Sequence, residues 1–177
     1  MSAPEWILAL DPGNVKSGYV LTHLGEIAEK GIESNAEVLE FVDCYAGKSC
    51  GLAVETVAAY GMAVGKTVFQ TCFWTGRFVQ MAVAGGCRDA RAVYRKNVKL
   101  HLCNSMRAKD ANIRQALIDR YPASGGGSVP QIGTKAKPGP LYGVSSHLWA
   151  ALGVAVTARE TWWDCEVFPG VELETEF

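Results

Sequence analysis

Residues 7–21 read ILALDPGNVKSGYVL. An apolar run ends on Asp11, Pro12 and Gly13 turn the chain at once, and a second apolar run opens at Gly18. Short apolar runs bounded by turn residues read as buried strands. Trp6 to Leu10 is the first such strand and Gly18 to Thr22 the second; a third, EIAEKGI (Glu26 to Ile32), follows a tight turn at Gly25. Three strands with links this short predict an antiparallel meander. Asp11 therefore closes a buried strand with a carboxylate that the Pro-Gly turn leaves uncovered.

Outward from this stretch the pattern changes period. NAEVLEFVDCYA (35–46) spaces Val38, Leu39, Phe41 and Val42 along one helical face, with Ser34 or Asn35 as N-cap. CGLAVET (50–56) reads as a central strand, apolar on both faces, and it too ends in a carboxylate, Glu55. Residues 57–66 are punctuated by glycine and predict a loop. From Thr67 to Ala84 the chain is apolar around most of a helix and stops at Gly85-Gly86. ARAVY (90–94) predicts a short strand, and KDANIRQALIDRYP (109–122) an amphipathic helix with Ile113, Ala116, Leu117 and Tyr121 on its apolar face. Residues 123–143 are rich in Gly and Pro and predict a mobile loop, 145–160 a strongly apolar helix, and 161–177 a tail. The predicted order, β-β-β-α-β-α-β-α-α, is that of a layered α/β domain.

The chain has 177 residues, 49% of them hydrophobic and 20% charged, as expected of one globular domain spanning 1–177 with an acidic tail from about 160. No run reaches membrane-spanning length, so no membrane association is expected. The opening MSAPEW lacks a basic segment, so no signal peptide is expected and a cytoplasmic location is. Six cysteines without a CxxC pair argue for buried thiols in a reducing compartment rather than a zinc ribbon. The net charge of −1 hides an asymmetry. Arg88 to Arg120 holds nine basic residues against three acids, and after Arg159 six acids follow with no Lys or Arg. The basic stretch is either a polyanion-binding face or a solvated helix surface.

If the strands ending in Asp11 and Glu55 are neighbours, their carboxylates stand side by side. Close anions repel unless a cation lies between them or one takes a proton. Hard divalent cations such as Mg²⁺ or Mn²⁺ suit oxygen ligands, and paired ions can clamp a phosphodiester for in-line attack by water. Taken singly, Asp11 reads as well as a turn residue and Glu55 as a surface acid. An actin-like ATPase also places an Asp and a Gly before a hairpin, but that fold needs two such lobes and about twice this length.

Four stretches in register carry a more specific signal. ILALDPGNVKSGYVL resembles the first motif of RuvC-type Holliday junction resolvases of the RNase H-like superfamily, and LAVET (52–56) resembles that family's strand with the catalytic Glu. VKLHLCNSMRAKDANIRQAL resembles the stretch in which two lysines, here Lys99 and Lys109, lie near the DNA backbone. SSHLWAALGVAV resembles the last helix, which carries two metal-binding residues one turn apart. The likeness runs from about Trp6 to Ala158, and its wording is closest to the bacteriophage branch.

The resemblance implies an α/β, RNase H-like fold: a mixed five-stranded sheet, three antiparallel strands then parallel ones, flanked by helices. It implies a Mg²⁺-dependent endonuclease (Mn²⁺ substituting) that resolves four-way junctions or other branched DNA, acting as a homodimer in the cytoplasm of a bacterial host. Asp11, Glu55 and His147 fall on metal positions. The second position of the last helix, however, falls on Ala150, which cannot ligate. Asp110 either substitutes for it or is an ordinary acid at a helix N-terminus. The catalytic set is thus Asp11, Glu55, His147, Asp110 and Lys109. The DNA-binding set is Lys16, Lys99, Arg107, Lys109 and Arg114, with Tyr60 and Met62 placed to enter an opened junction, and Lys135 and Lys137 in a loop that orders on DNA. The Thr67–Ala84 helix is the expected dimer contact, with Phe73 and Phe78 in it. Ala150 also leaves a second reading open: a branched-DNA-binding protein without catalysis.

Overall fold

The computed structural model describes residues 3–46, 50–58, 61 and 63–168. Along the chain run β1 (Trp6–Asp11), β2 (Lys16–His23), β3 (Glu26–Ser34), α1 (Asn35–Ala46), β4 (Cys50–Thr56), α2 (Lys66–Ala84), β5 (Ala90–Tyr94), α3 (Arg95–Cys103), α4 (Asp110–Ile118) and α5 (Leu148–Glu160). A 3₁₀ turn, Trp162–Asp164, and a two-residue strand, β6 (Glu166–Val167), follow. They form one six-stranded sheet in the order β3-β2-β1-β4-β5-β6. β1 pairs antiparallel with β2, and β2 with β3. β1, β4 and β5 run parallel, and β6 returns antiparallel on β5.

Strand alternation sorts the core into two layers. Leu8, Leu10, Leu52 and Val54 face Val38 and Val42 of α1 and Phe78, Val79 and Ala82 of α2. Ile7, Ala9, Ala53 and Val93 face the other way, onto α3, α4 and the apolar α5. The central strands are covered on both faces, which is why they read as continuous apolar runs. The β2–β3 hairpin turns at Leu24 and Gly25, both at positive φ (51° and 94°), a conformation that favours glycine at the second position.

Several expectations need correction. The sheet has six strands, not five, because part of the predicted tail returns to it. Trp162 is fully buried, and its indole N–H donates to Asp89 Oδ2 at 2.7 Å. The buried Arg91 donates to Asp89 Oδ1 at 2.6 Å and to the Cys165 carbonyl at 3.2 Å, fastening the returning chain to the sheet edge. The α3 helix has no counterpart in the predicted order. The 123–143 loop is internally paired rather than loose: Thr134 and Lys137 exchange backbone hydrogen bonds, and Gly126, Gly139 and Leu141 donate to Lys137, Ile132 and Gln131. Cys50, Cys87 and Cys165 are buried, but Cys44 and Cys72 are exposed. Phe78 is a core residue, so of the two phenylalanines assigned to a dimer contact only Phe73 is exposed, beside an exposed Phe69. Among the described residues no helix is long and apolar enough to cross a membrane.

Candidate active site

In the parallel β1–β4 pair, Leu10 is in register with Val54. Asp11 and Glu55, the next residues, therefore leave the sheet side by side. Each shares the parity of Ala9 and Ala53, so both carboxylates point to the α5 face. The turn after Asp11 is held from behind: Ser17 Oγ donates to Asn35 Oδ1 at 2.7 Å, and Asn35 Nδ2 donates to the Gly13 carbonyl at 3.0 Å. Gly18 is paired with Asp11 across the β1–β2 ladder. A Cβ on Gly18 would lie 3.2 Å from both the Cβ and the carbonyl oxygen of His147, so the missing side chain is what lets the start of α5 approach Asp11. Ser146, just before, sits at φ 45°, a strained conformation for a non-glycine residue.

His147 Nδ1 lies 3.0 Å from Asp11 Oδ2. An ionised carboxylate only accepts, so beside ionised Asp11 the Nδ1 atom is the donor of this contact. Across the cleft, Arg95 Nη2 donates to Asp110 Oδ1 at 2.6 Å, and Arg95 Nη1 stands 3.7 Å from Glu55 Oε1. Asp11, Glu55, Arg95, Asp110, Arg114, Ser146, His147, Trp149 and Ala150 all line this one cleft, about 530 Å³ in volume. The Arg114 guanidinium stacks 5.1 Å above the Trp149 ring. Burial, aided by the neighbouring Asp11 charge, pushes the Glu55 carboxyl up to about 7. Burial also raises Asp11, against the opposing pull of His147.

The donor set suits a hard cation. Glu55 Oε2 is buried without a hydrogen-bond partner, an arrangement that leaves an anionic oxygen uncompensated. Carboxylate oxygens with one imidazole are ligands that Mg²⁺ and Mn²⁺ accept. Among the described residues no three His, Cys, Asp or Glu side chains already converge as a finished metal cluster. Arg95 and His147 hold the carboxylates instead.

The comparisons with known proteins agree on architecture. A solved structure of RuvC from Thermus thermophilus matches with a TM-score of 0.64, covering 92% of this chain and 99% of that one at 16% identity. The same protein in complex with Holliday junction substrate matches with a TM-score of 0.64, covering 93% and 99% at 15% identity. This chain has the RuvC fold. No family model and no curated protein matches it.

Within the RuvC fold, the structure brings four of the sequence-derived candidates, Asp11, Glu55, Asp110 and His147, to one cleft, with Arg114 on its wall. Asp110 is 85% exposed and held by Arg95, at the first turn of α4. Ala150 lines the same cleft and offers no donor atom to it. Lys99 on α3 and the exposed Lys16, Arg107 and Lys109 lie outside the cleft lining. The Lys109 backbone N–H donates to Asn112 Oδ1 at 2.9 Å, fixing the start of α4. Tyr60 and Met62 lie outside the described residues. Arg95 and Trp149 were missed by sequence reasoning. Arg95 directly follows β5, whose Val93 is in register with Glu55, and that register is what brings it to the cleft.

Proposed function

We propose that this chain is a metal-dependent endonuclease that cuts branched DNA, four-way junctions above all, by hydrolysing a phosphodiester. The observation that carries the reading is the pairing of Asp11 and Glu55 at adjacent parallel strand ends, with His147 on Asp11, in a fold shared with a protein solved with Holliday junction substrate. Fold alone does not confer activity, so the argument rests on the side chains in the cleft.

Asp11, Glu55 and His147 would hold Mg²⁺, with Mn²⁺ able to substitute. When bound, the ion supplies Lewis-acid stabilisation of charge on the phosphate oxygens. The Nδ1 contact with Asp11 fixes the orientation of the His147 ring. The turn clamped by Ser17 and Asn35 keeps Asp11 from following the solvent, so ligand geometry is set before DNA arrives. Lys16, Lys99, Arg107, Lys109 and Arg114 neutralise backbone phosphates and position the duplex arms. A junction has two-fold symmetry, so two chains presenting two clefts fit it, joined through the exposed Phe69–Phe73 side of α2. The wording of the sequence points to a bacteriophage protein acting in the host cytoplasm.

The second reading, binding of branched DNA without cleavage, is favoured by Ala150 alone. Junction nicking in Mg²⁺ separates the two. The expected result is nicking by the parent chain, with Asp11→Asn and His147→Ala binding the junction but losing nicking. An inert parent that Ala150→Asp converts to an active one establishes the second reading.

A further inference from the structure

Two buried polar atoms on one side of the cleft have no hydrogen-bond partner: Arg95 Nη1 and Glu55 Oε2. They belong to a donor and an acceptor that almost meet, Nη1 being 3.7 Å from the other carboxylate oxygen of Glu55. An unmet buried donor next to an unmet buried acceptor is costly, and such a pair persists where a ligand completes it. The other arm of the guanidinium is anchored: Nη2 donates to Asp110 Oδ1 at 2.6 Å, and Arg95 opens α3 directly after β5. The group is thus aimed, rather than waving, with one N–H edge left for something that enters the cleft.

The charge balance says what enters. Asp11, Glu55 and Asp110 are the acids that line the cleft, and Ala150, which also lines it, offers no donor. With a phosphodiester bound, these carboxylates and the phosphate carry four negative charges. One divalent ion with Arg95 and Arg114 carries four positive charges. A second divalent ion would leave the site with excess positive charge and no free carboxylate, since Asp110 is held by Arg95. Resting on the endonuclease reading above, we propose that Arg95 is a catalytic cation of this cleft: it neutralises the Glu55–Asp110 side in place of a second divalent ion, and Nη1 donates to an oxygen of the scissile phosphate. Each chain then works with a single metal ion.

In the reaction, the oxygen of water forms a bond to phosphorus and the bond from phosphorus to one sugar oxygen breaks. One of the water protons ends on the freed sugar hydroxyl, and the other passes to the new phosphate monoester or to solvent. Negative charge grows on the non-bridging oxygens as the water adds, and a planar guanidinium with a fixed N–H edge interacts more strongly with that state than with the diester.

Two measurements on the full chain test this. The first counts bound Mn²⁺ by electron paramagnetic resonance at low ionic strength, with no DNA present. The parent should bind one Mn²⁺ per chain, and Arg95→Gln combined with Ala150→Asp should bind two. A parent that binds two overturns the inference. The second measures nicking of a four-way junction in Mg²⁺. Arg95→Gln should lower kcat about 10²–10³-fold, the range seen when one donor to a developing oxyanion is removed. Its junction affinity should change by no more than about threefold, because one phosphate contact is a small share of the total. Arg95→Lys, which keeps the charge but not the fork, should recover part of the loss and controls for folding. Parental nicking by Arg95→Gln overturns the inference. If the parent nicks no junction in either metal, the endonuclease reading fails and the Mn²⁺ count alone decides the one-ion arrangement.

Discussion

Glu55 is where burial and charge conflict most sharply. Its carboxyl is raised from an ordinary 4.5 to about 7, first by desolvation and then by the Asp11 charge. An acid whose folded value lies above its unfolded value takes up a proton on folding between the two. Stability then falls as pH rises from about 4.5 to about 7, and the deficit is complete above that. In EDTA, Glu55→Gln should therefore be more stable than the parent at pH 8, by about 1–3 kcal/mol, and near parity at pH 4.5. Urea denaturation at the two pH values checks this; equal stabilities at pH 8 would mean the Glu55 charge is compensated within the protein. The same substitution should abolish nicking. Asp11 and Glu55 were legible in the sequence because each ends an apolar strand, and strand neighbours are the one tertiary contact a strand pattern suggests. Arg95 was not legible, because it reads as one more cation in a basic stretch until the β4–β5 register places it beside Glu55.

At the scale of elements, the contact between β2 and the start of α5 aligns the cleft. Gly18→Ala places a methyl 3.2 Å from the His147 Cβ, tighter than most packed contacts, so His147 must give by a few tenths of an ångström. The variant should lose about 1–2 kcal/mol of stability and a larger share of nicking activity, since the shift falls on His147. A nicking rate equal to the parent's would show that His147 need not sit on Asp11. The two sides of α2 make opposite predictions. Phe73→Glu, at a residue 62% exposed, should leave the thermal midpoint unchanged and shift a dimer toward one chain by light scattering. Phe78→Glu, at a fully buried residue, should prevent folding outright. A monomeric parent at micromolar concentration would remove α2 as an interface. The meander, α1, β4 and β5 were readable because apolar spacing and turn residues agreed along each. The α3 helix was not, since RKNVKLHLC buries only Val98 and Leu102 and carries basic residues elsewhere. β6 escaped notice because two residues hold no period, and contacts distant in sequence, among them the Asp89–Arg91–Trp162 cluster and the Tyr94 hydroxyl on Glu166, keep them at the sheet edge.

For the whole molecule, near-zero net charge conceals a basic middle, from which Arg95 and Arg114 line the cleft, and an acidic end. The logarithm of junction affinity should fall linearly with the logarithm of salt concentration, and Lys99→Ala or Lys109→Ala should each reduce that slope by about one counterion. A flat response would take the basic stretch off the DNA surface. The measurement that bears most directly on the account is nicking of a synthetic four-way junction by the purified full chain in Mg²⁺, with Asp11→Asn and an EDTA control alongside. The account predicts cleavage by the parent, none in EDTA, and a loss of at least about 10³-fold in Asp11→Asn with junction binding retained. Cleavage by Asp11→Asn at the parental rate, or cleavage that persists in EDTA, would contradict it.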